Sequence, residues 1–138
     1  MFLVVSLYHN SRNMKKLTHA EEQIIQVLWE IEKGFVNDIV SRLPDPKPAY
    51  NTVSTIVRIL EQKGFIGHKA YGRTHEYFPI VSKDEYSREF LDNFTQNYFS
   101  NSYKALASFF ANSENLSIRE LEEIKVLVEE QINNHKKS

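Results

Sequence analysis

Cysteine is absent from the 138 residues, which excludes disulfides, thiolate metal sites and cysteine nucleophiles and fits a reducing compartment. Glycine is scarce: positions 34, 64, 67 and 72 all fall in turn or hairpin contexts, so no glycine-rich phosphate loop is available. No apolar run is long enough to cross a bilayer. The opening MFLVVSLYHNSRN starts apolar, yet it has neither a basic n-region nor a small-residue cleavage pattern, so it reads as no signal. No Ser/His/Asp set or paired carboxylates stand out, and the sequence therefore supports neither an enzyme nor a bound cofactor. The net charge of −1 gives no bulk attraction to nucleic acid.

What is present is the composition of a globular protein, 41% hydrophobic and 25% charged, enough for one domain plus an accessory segment. Charge is unevenly placed. From Lys47 to Phe78 five bases face two acids, a balance of +3, whereas from Val81 onward seven bases face ten acids, a balance of −3.

The most informative stretch is AYNTVSTIVRILEQKGFI, residues 49–66. Val53, Ile56, Val57 and Leu60 recur at i, i+3, i+4 and i+7, which predicts a helix with one apolar stripe against a core. Asn51, Thr55, Arg58 and Gln62 fall opposite, flanked by Thr52 and Ser54. Amides, hydroxyls and one guanidinium suit base edges and phosphates better than they suit an ordinary Glu/Lys surface. Lys63-Gly64 supplies a helix stop. Phe65 to Ala70 and Thr74 to Ile80, joined by Tyr71-Gly72-Arg73, then read as a hairpin with a basic tip.

Upstream, residues 1–13 read as a dispensable or disordered extension ahead of Met14, the alternative being a short strand packed on the domain. Thr18 and Glu21 form a capping box for a helix reaching about Lys33, with Ile24, Ile25, Val27, Leu28 and Ile31 apolar and Trp29 a core or interface aromatic. Gly34 is expected to stop it, Phe35-Val36 to pair briefly as extended chain, and Asn37 to cap a short second helix through Leu43. Pro44, Pro46 and Pro48 make a rigid turn before the helix at 49. That order is helix, turn, helix, hairpin: a winged helix-turn-helix.

Downstream, Ser82 with Glu85 and Ser117 with Glu120 are two further capping boxes. Tyr86, Phe90, Phe94 and Tyr98 recur every four residues in the first of these helices; Tyr103, Leu106, Ala107 and Phe110 form a short second one. Ile118, Leu121, Ile124, Val128 and Ile132 mark one face of the last. Three amphipathic helices with no partner sheet are most simply buried against a second copy of the chain. A ligand pocket lined by the aromatic stripe is the rarer use of such spacing.

From about Leu17 to Ile132 the chain resembles the penicillinase-repressor family of bacterial regulators. The resemblance is carried by LTHAEEQIIQVLWE, the helix-turn-helix from Val36 to Leu60 with Thr52-Val53 and Thr55, KGFI followed by a hairpin ending Tyr77-Phe78-Pro79, and LSIRELEEIKVLVEE. It implies a cytoplasmic, DNA-binding transcriptional repressor, a homodimer whose winged helices hold a pseudo-palindromic double-stranded operator. Some relatives sense copper through C-terminal cysteines, a device that a cysteine-free chain lacks. Members governing β-lactam resistance are released by cleavage between an Asn and a Phe. Here the corresponding stretch reads Ala107-Ser108-Phe109-Phe110-Ala111-Asn112, without that pair, so a membrane sensor protease is one route of release and an unidentified signal another.

The expected architecture is mainly α with a small β-hairpin wing: residues 14–81 a winged helix-turn-helix domain and 82–138 a helical dimerisation domain. Asn51 and Arg58 are the expected base readers, since a carboxamide pairs bidentately with adenine and a guanidinium with guanine. Thr52, Ser54 and Thr55 are expected at phosphates or a thymine methyl, and Lys69 and Arg73 at the backbone or minor groove. Tyr86, Phe90, Phe94, Tyr98, Leu106, Phe110, Leu121, Ile124 and Val128 are the expected dimerisation residues. His68 and His75, on opposite hairpin strands, lack a third metal ligand nearby. The competing readings are a winged-helix protein-interaction module and a ligand-sensing regulator.

Overall fold

The computed structural model describes residues 14–137; the expectation for residues 1–13 lies outside them. The elements are α1 (His19–Ile31), α2 (Val36–Arg42), α3 (Tyr50–Gln62), β1 (Ile66–Tyr71), β2 (Thr74–Pro79), α4 (Lys83–Phe99), α5 (Tyr103–Ala111) and α6 (Ile118–Lys137). The fold is mainly helical with one antiparallel hairpin, Ile66 opposite Pro79 and Tyr71 opposite Thr74. The chain divides into two compact units, one ending at Leu91 and the other beginning at Asp92.

In the first unit, Ile24, Ile25 and Leu28 of α1, Ile39 of α2, Val53, Val57 and Leu60 of α3, and Phe65 and Ile66 at the hairpin entry form one buried cluster. The apolar stripe of α3 thus faces inward, with Ile56 at its partly buried edge. The capping box of α1 is formed: Glu21 N–H donates to Thr18 Oγ1 at 3.2 Å and Thr18 N–H to Glu21 Oε1 at 3.0 Å. Glu21 is only 5% exposed, and its charge is met by Lys63 Nζ at 2.7 Å. Burial pushes the Glu21 carboxyl up, but the Lys63 ammonium and the Thr18 donors outweigh it and hold the group below the ordinary carboxylate range. Lys63 therefore ties the end of α3 to the start of α1 as well as meeting the helix dipole.

Three local expectations change. Helix α1 ends at Ile31 because Glu32 turns to φ +73° while its N–H closes on Leu28 O at 2.8 Å. The extended pairing falls on Gly34, which exchanges both backbone hydrogen bonds with Tyr77 at 2.8 and 2.9 Å. A Cβ at Gly34 would lie 2.8 Å from Ile31 Cδ1, which is why a residue without one occupies this third, single-residue rung beside the hairpin. Phe35, not Asn37, is the N-cap of α2; its N–H is taken by Asp38 Oδ2 at 2.9 Å, leaving Asn37 inside the first turn. In the proline-rich turn, Lys47 Nζ donates to Leu43 O at 2.7 Å and Ser41 O at 3.2 Å, satisfying the open end of α2.

The first turns of α4 belong to this unit. Ser82 and Glu85 form their capping box, and Tyr86 packs its ring 5.8 Å from both Trp29 and Phe65. Tyr86 Oη donates to Glu22 Oε2 at 2.5 Å, and burial together with that bond pushes the phenol well above its ordinary range.

The second unit is built differently. Ser102 caps α5, and Ser117 with Glu120 forms the third capping box. Phe99 stacks between Phe94 and Phe109, and the Tyr103 hydroxyl bonds Asp92. Thr95 is the one fully buried side chain among its described residues, while Tyr98 stands 73% exposed and Leu127 61% exposed.

Candidate nucleic-acid interface

The helix-turn-helix presents α3 with its polar side outward because the stripe from Val53 to Leu60 is consumed by the core. The hairpin follows after only three residues, so its turn stands beside the same helix. Gly72, at φ +64°, makes that turn, and Gly64, at φ +85°, ends α3. Both are left-handed positions that a side chain would strain.

Between α3, the start of α2 and the hairpin lies a cleft of about 630 Å³. Ser54 and Arg58 line it from α3, Arg73 from the hairpin turn and Asn37 from α2. Three of the residues expected at DNA are thereby brought to one place: a hydroxyl and two guanidinium groups. Asn51, Thr52 and Thr55 stand exposed on the open side of α3. The Thr55 hydroxyl donates to Asn51 O at 2.9 Å, so toward a ligand it offers its lone pairs and its methyl rather than its proton.

Lys69 is placed apart from the cleft. In register it opposes Glu76, and its neighbour His68 points to α3, so Lys69 and Glu76 occupy the other face of the hairpin. Its ammonium lies 5.3 Å from the Tyr71 ring centroid. The wing therefore has a neutralised outer face and a cleft face with Arg73 at its tip.

The cleft face holds residues to which sequence reasoning gave no part in DNA contact. His68 donates through Nδ1 to Glu61 Oε2 at 2.6 Å, linking the wing to α3. His75 stacks on His68, with ring centroids 4.0 Å apart and planes 6° apart. Tyr50, at the first position of α3, also lines the cleft. Strand alternation carried the signal for the histidines: a single residue between His75 and Tyr77, and between Ile66 and His68, places both rings on the face that Ile66 and Tyr77 bury. Among the described residues no group of three or more His, Asp or Glu side chains is arranged to hold a metal ion.

The dimerisation candidates divide. Tyr86 is occupied by Trp29, Phe65 and Glu22 within the first unit. Phe90, Phe94, Tyr98, Phe110 and Val128 are exposed, and Leu106, Leu121 and Ile124 half-buried.

Residues 17–130 match the family model described as penicillinase repressor. The chain belongs to the penicillinase repressor family. It is 23% identical over 111 residues to the methicillin resistance regulatory protein MecI of Staphylococcus aureus (strain N315), covering 80% of this chain and 90% of that protein. The penicillinase repressor of Bacillus licheniformis is 21% identical over 126 residues, covering 91% and 98%. Among solved structures, the complex structure of hsRosR-S4 superimposes with a TM-score of 0.53 at 16% identity, over 90% of this chain and 97% of that one, a likeness of fold. As a member of the penicillinase repressor family the chain is a DNA-binding transcriptional repressor, and no described helix is long and apolar enough to cross a membrane.

Proposed function

We propose that the protein acts in the cytoplasm as a homodimer on a pseudo-palindromic operator. Each protomer lays α3 in a major groove and sets its wing against the neighbouring backbone. The half-sites then lie one turn of duplex, about 34 Å, or a multiple of it apart, as two-fold symmetry requires. The observation that carries this reading is the cleft in which Arg58 and Ser54 of α3 meet Arg73 of the wing. Arg58 and Asn51 read base edges; Thr52 and Ser54 meet phosphates or a thymine methyl, and Thr55, its proton spent on Asn51 O, a thymine methyl; Arg73 holds the backbone. Lys69, opposed by Glu76, contributes less.

The exposed Phe94, Tyr98, Phe110 and Val128, joined by Leu106, Leu121 and Ile124, supply the dimer surface. Occupancy blocks transcription, and a signal that loosens the dimer releases the operator by removing the tethered second half-site. Titration of the protein against its own upstream DNA and against random duplex, at two salt concentrations, tests the reading. Two protomers per site, with strong preference for the promoter and a steep salt slope, are expected; equal weak binding to both duplexes overturns it.

A further inference from the structure

The cleft also holds a stacked His68–His75 pair that contact with bases does not require. His68 has a fixed partner: its Nδ1 donates to the Glu61 carboxylate at 2.6 Å. His75 has no such arrangement, since no hydrogen bond or ion pair engages it among the described residues, and its ring is held flat on His68 at 4.0 Å. The other charged or titratable side chains facing the pair are Asp38 from α2, Tyr50 and Arg58 from α3, Arg73 from the turn and Tyr77 from β2. In the free protein a proton on His75 adds a cation beside the guanidinium groups of Arg58 and Arg73. A phosphate entering the cleft reverses that balance, because every one of these cations then faces an anion.

We propose that His75 is a further operator-contacting residue, set in place by the Glu61–His68 bond, and that its contact with a DNA phosphate takes up a proton. The inference rests on the operator reading above and adds to it a residue and a coupled ion. Histidine is the side chain suited to this, because it changes charge near neutral pH. Uptake of one proton on binding makes affinity rise as pH falls. The Glu61–His68 bond has a positioning role: it fixes the plane against which His75 lies, and it anchors the wing to α3.

The test is operator binding by the full chain, followed by fluorescence anisotropy at pH 6.0 and pH 8.0 and constant ionic strength. The wild type is expected to bind about tenfold more tightly per protomer at pH 6.0, about a hundredfold for the two-protomer complex, below the limit of tenfold per pH unit for each proton taken up. H75Q is expected to lose that gain, its pH 6.0 and pH 8.0 affinities becoming equal, and H19Q, altered outside the cleft, to retain it. A pH-independent wild type, or an H75Q protein with the full wild-type profile, overturns the proposal. Calorimetry of wild-type binding in two buffers of different ionisation heat gives a reading free of any variant: uptake of close to one proton per protomer near pH 6.5 supports it, and no uptake overturns it. Absence of operator binding at both pH values would instead overturn the operator reading on which it rests.

Discussion

The two units of the chain reach opposite solutions with similar material. Up to Leu91, three helices and a hairpin close over a single core in which Ile25, Leu28, Ile39, Val53, Val57 and Leu60 have lost all contact with solvent. From Asp92 onward, helices of clear amphipathic pattern leave Phe109, Ile118 and Leu127 more than 60% exposed. A stripe that finds four faces around it becomes a core; a stripe on a helix with few neighbours remains a surface. The first unit buries its apolar stripes within itself, and the second leaves its own on the surface.

The largest expected effect separates binding from folding. Arg58→Glu combined with Arg73→Glu should weaken operator binding by about three orders of magnitude, some 4 kcal/mol, and flatten the salt dependence, with the melting curve unchanged. Operator titration at two salt concentrations beside a thermal melt reads both halves of the statement. Next, Leu28→Ala should destabilise the protein by about 3 kcal/mol, because it empties a fully enclosed site, whereas Leu127→Ala should cost less than about 1 kcal/mol in the isolated protomer. Denaturant unfolding at low protein concentration compares them, and equal costs would erase the contrast between the units.

Phe94→Asp with Val128→Asp should convert the proposed dimer to monomers in sedimentation equilibrium while leaving the first unit folded. Loss of the tethered second half-site should then lower operator affinity by about ten- to a hundredfold. The smallest effect sharpens the account of the first core. Glu21 is held below its unfolded range by Lys63 and Thr18, so its contribution is present above the unfolded carboxylate value near ~4.3 and fades as pH falls through the lower folded value. Lys63→Met should remove about 1–2 kcal/mol at neutral pH and make the loss of stability between pH 5 and 3 shallower, measured by urea midpoints across that range.

Legibility from sequence followed the same division. Helix α3 was plain because four apolar residues at helical spacing and a Lys-Gly stop agree on one element, and the three capping boxes fixed starts that the hydrogen bonds reproduce. Backbone pairing between distant residues was not legible: nothing local to Gly34 names Tyr77 as its partner, and Asp38 displaced the expected cap by bonding Phe35. At the cleft, residue types indicated Arg58 and Arg73, but only the hairpin register shows that Lys69 faces Glu76 and that the two histidines lie face to face. Periodicity marked the aromatic stripe of α4 without dividing it. Its first member, Tyr86, is spent on Trp29 and Phe65, because α4 begins against the winged helix.

The seam at Tyr86 has an optical consequence. Trp29 is the sole indole of the chain; its Nε1 donates to Val81 O at 2.9 Å and its ring lies 5.8 Å from that of Tyr86. All tryptophan emission from the protein therefore originates where α1 meets the chain passing from the hairpin into α4, and a change in its wavelength or quenching reports the surroundings of that one ring, with no label attached.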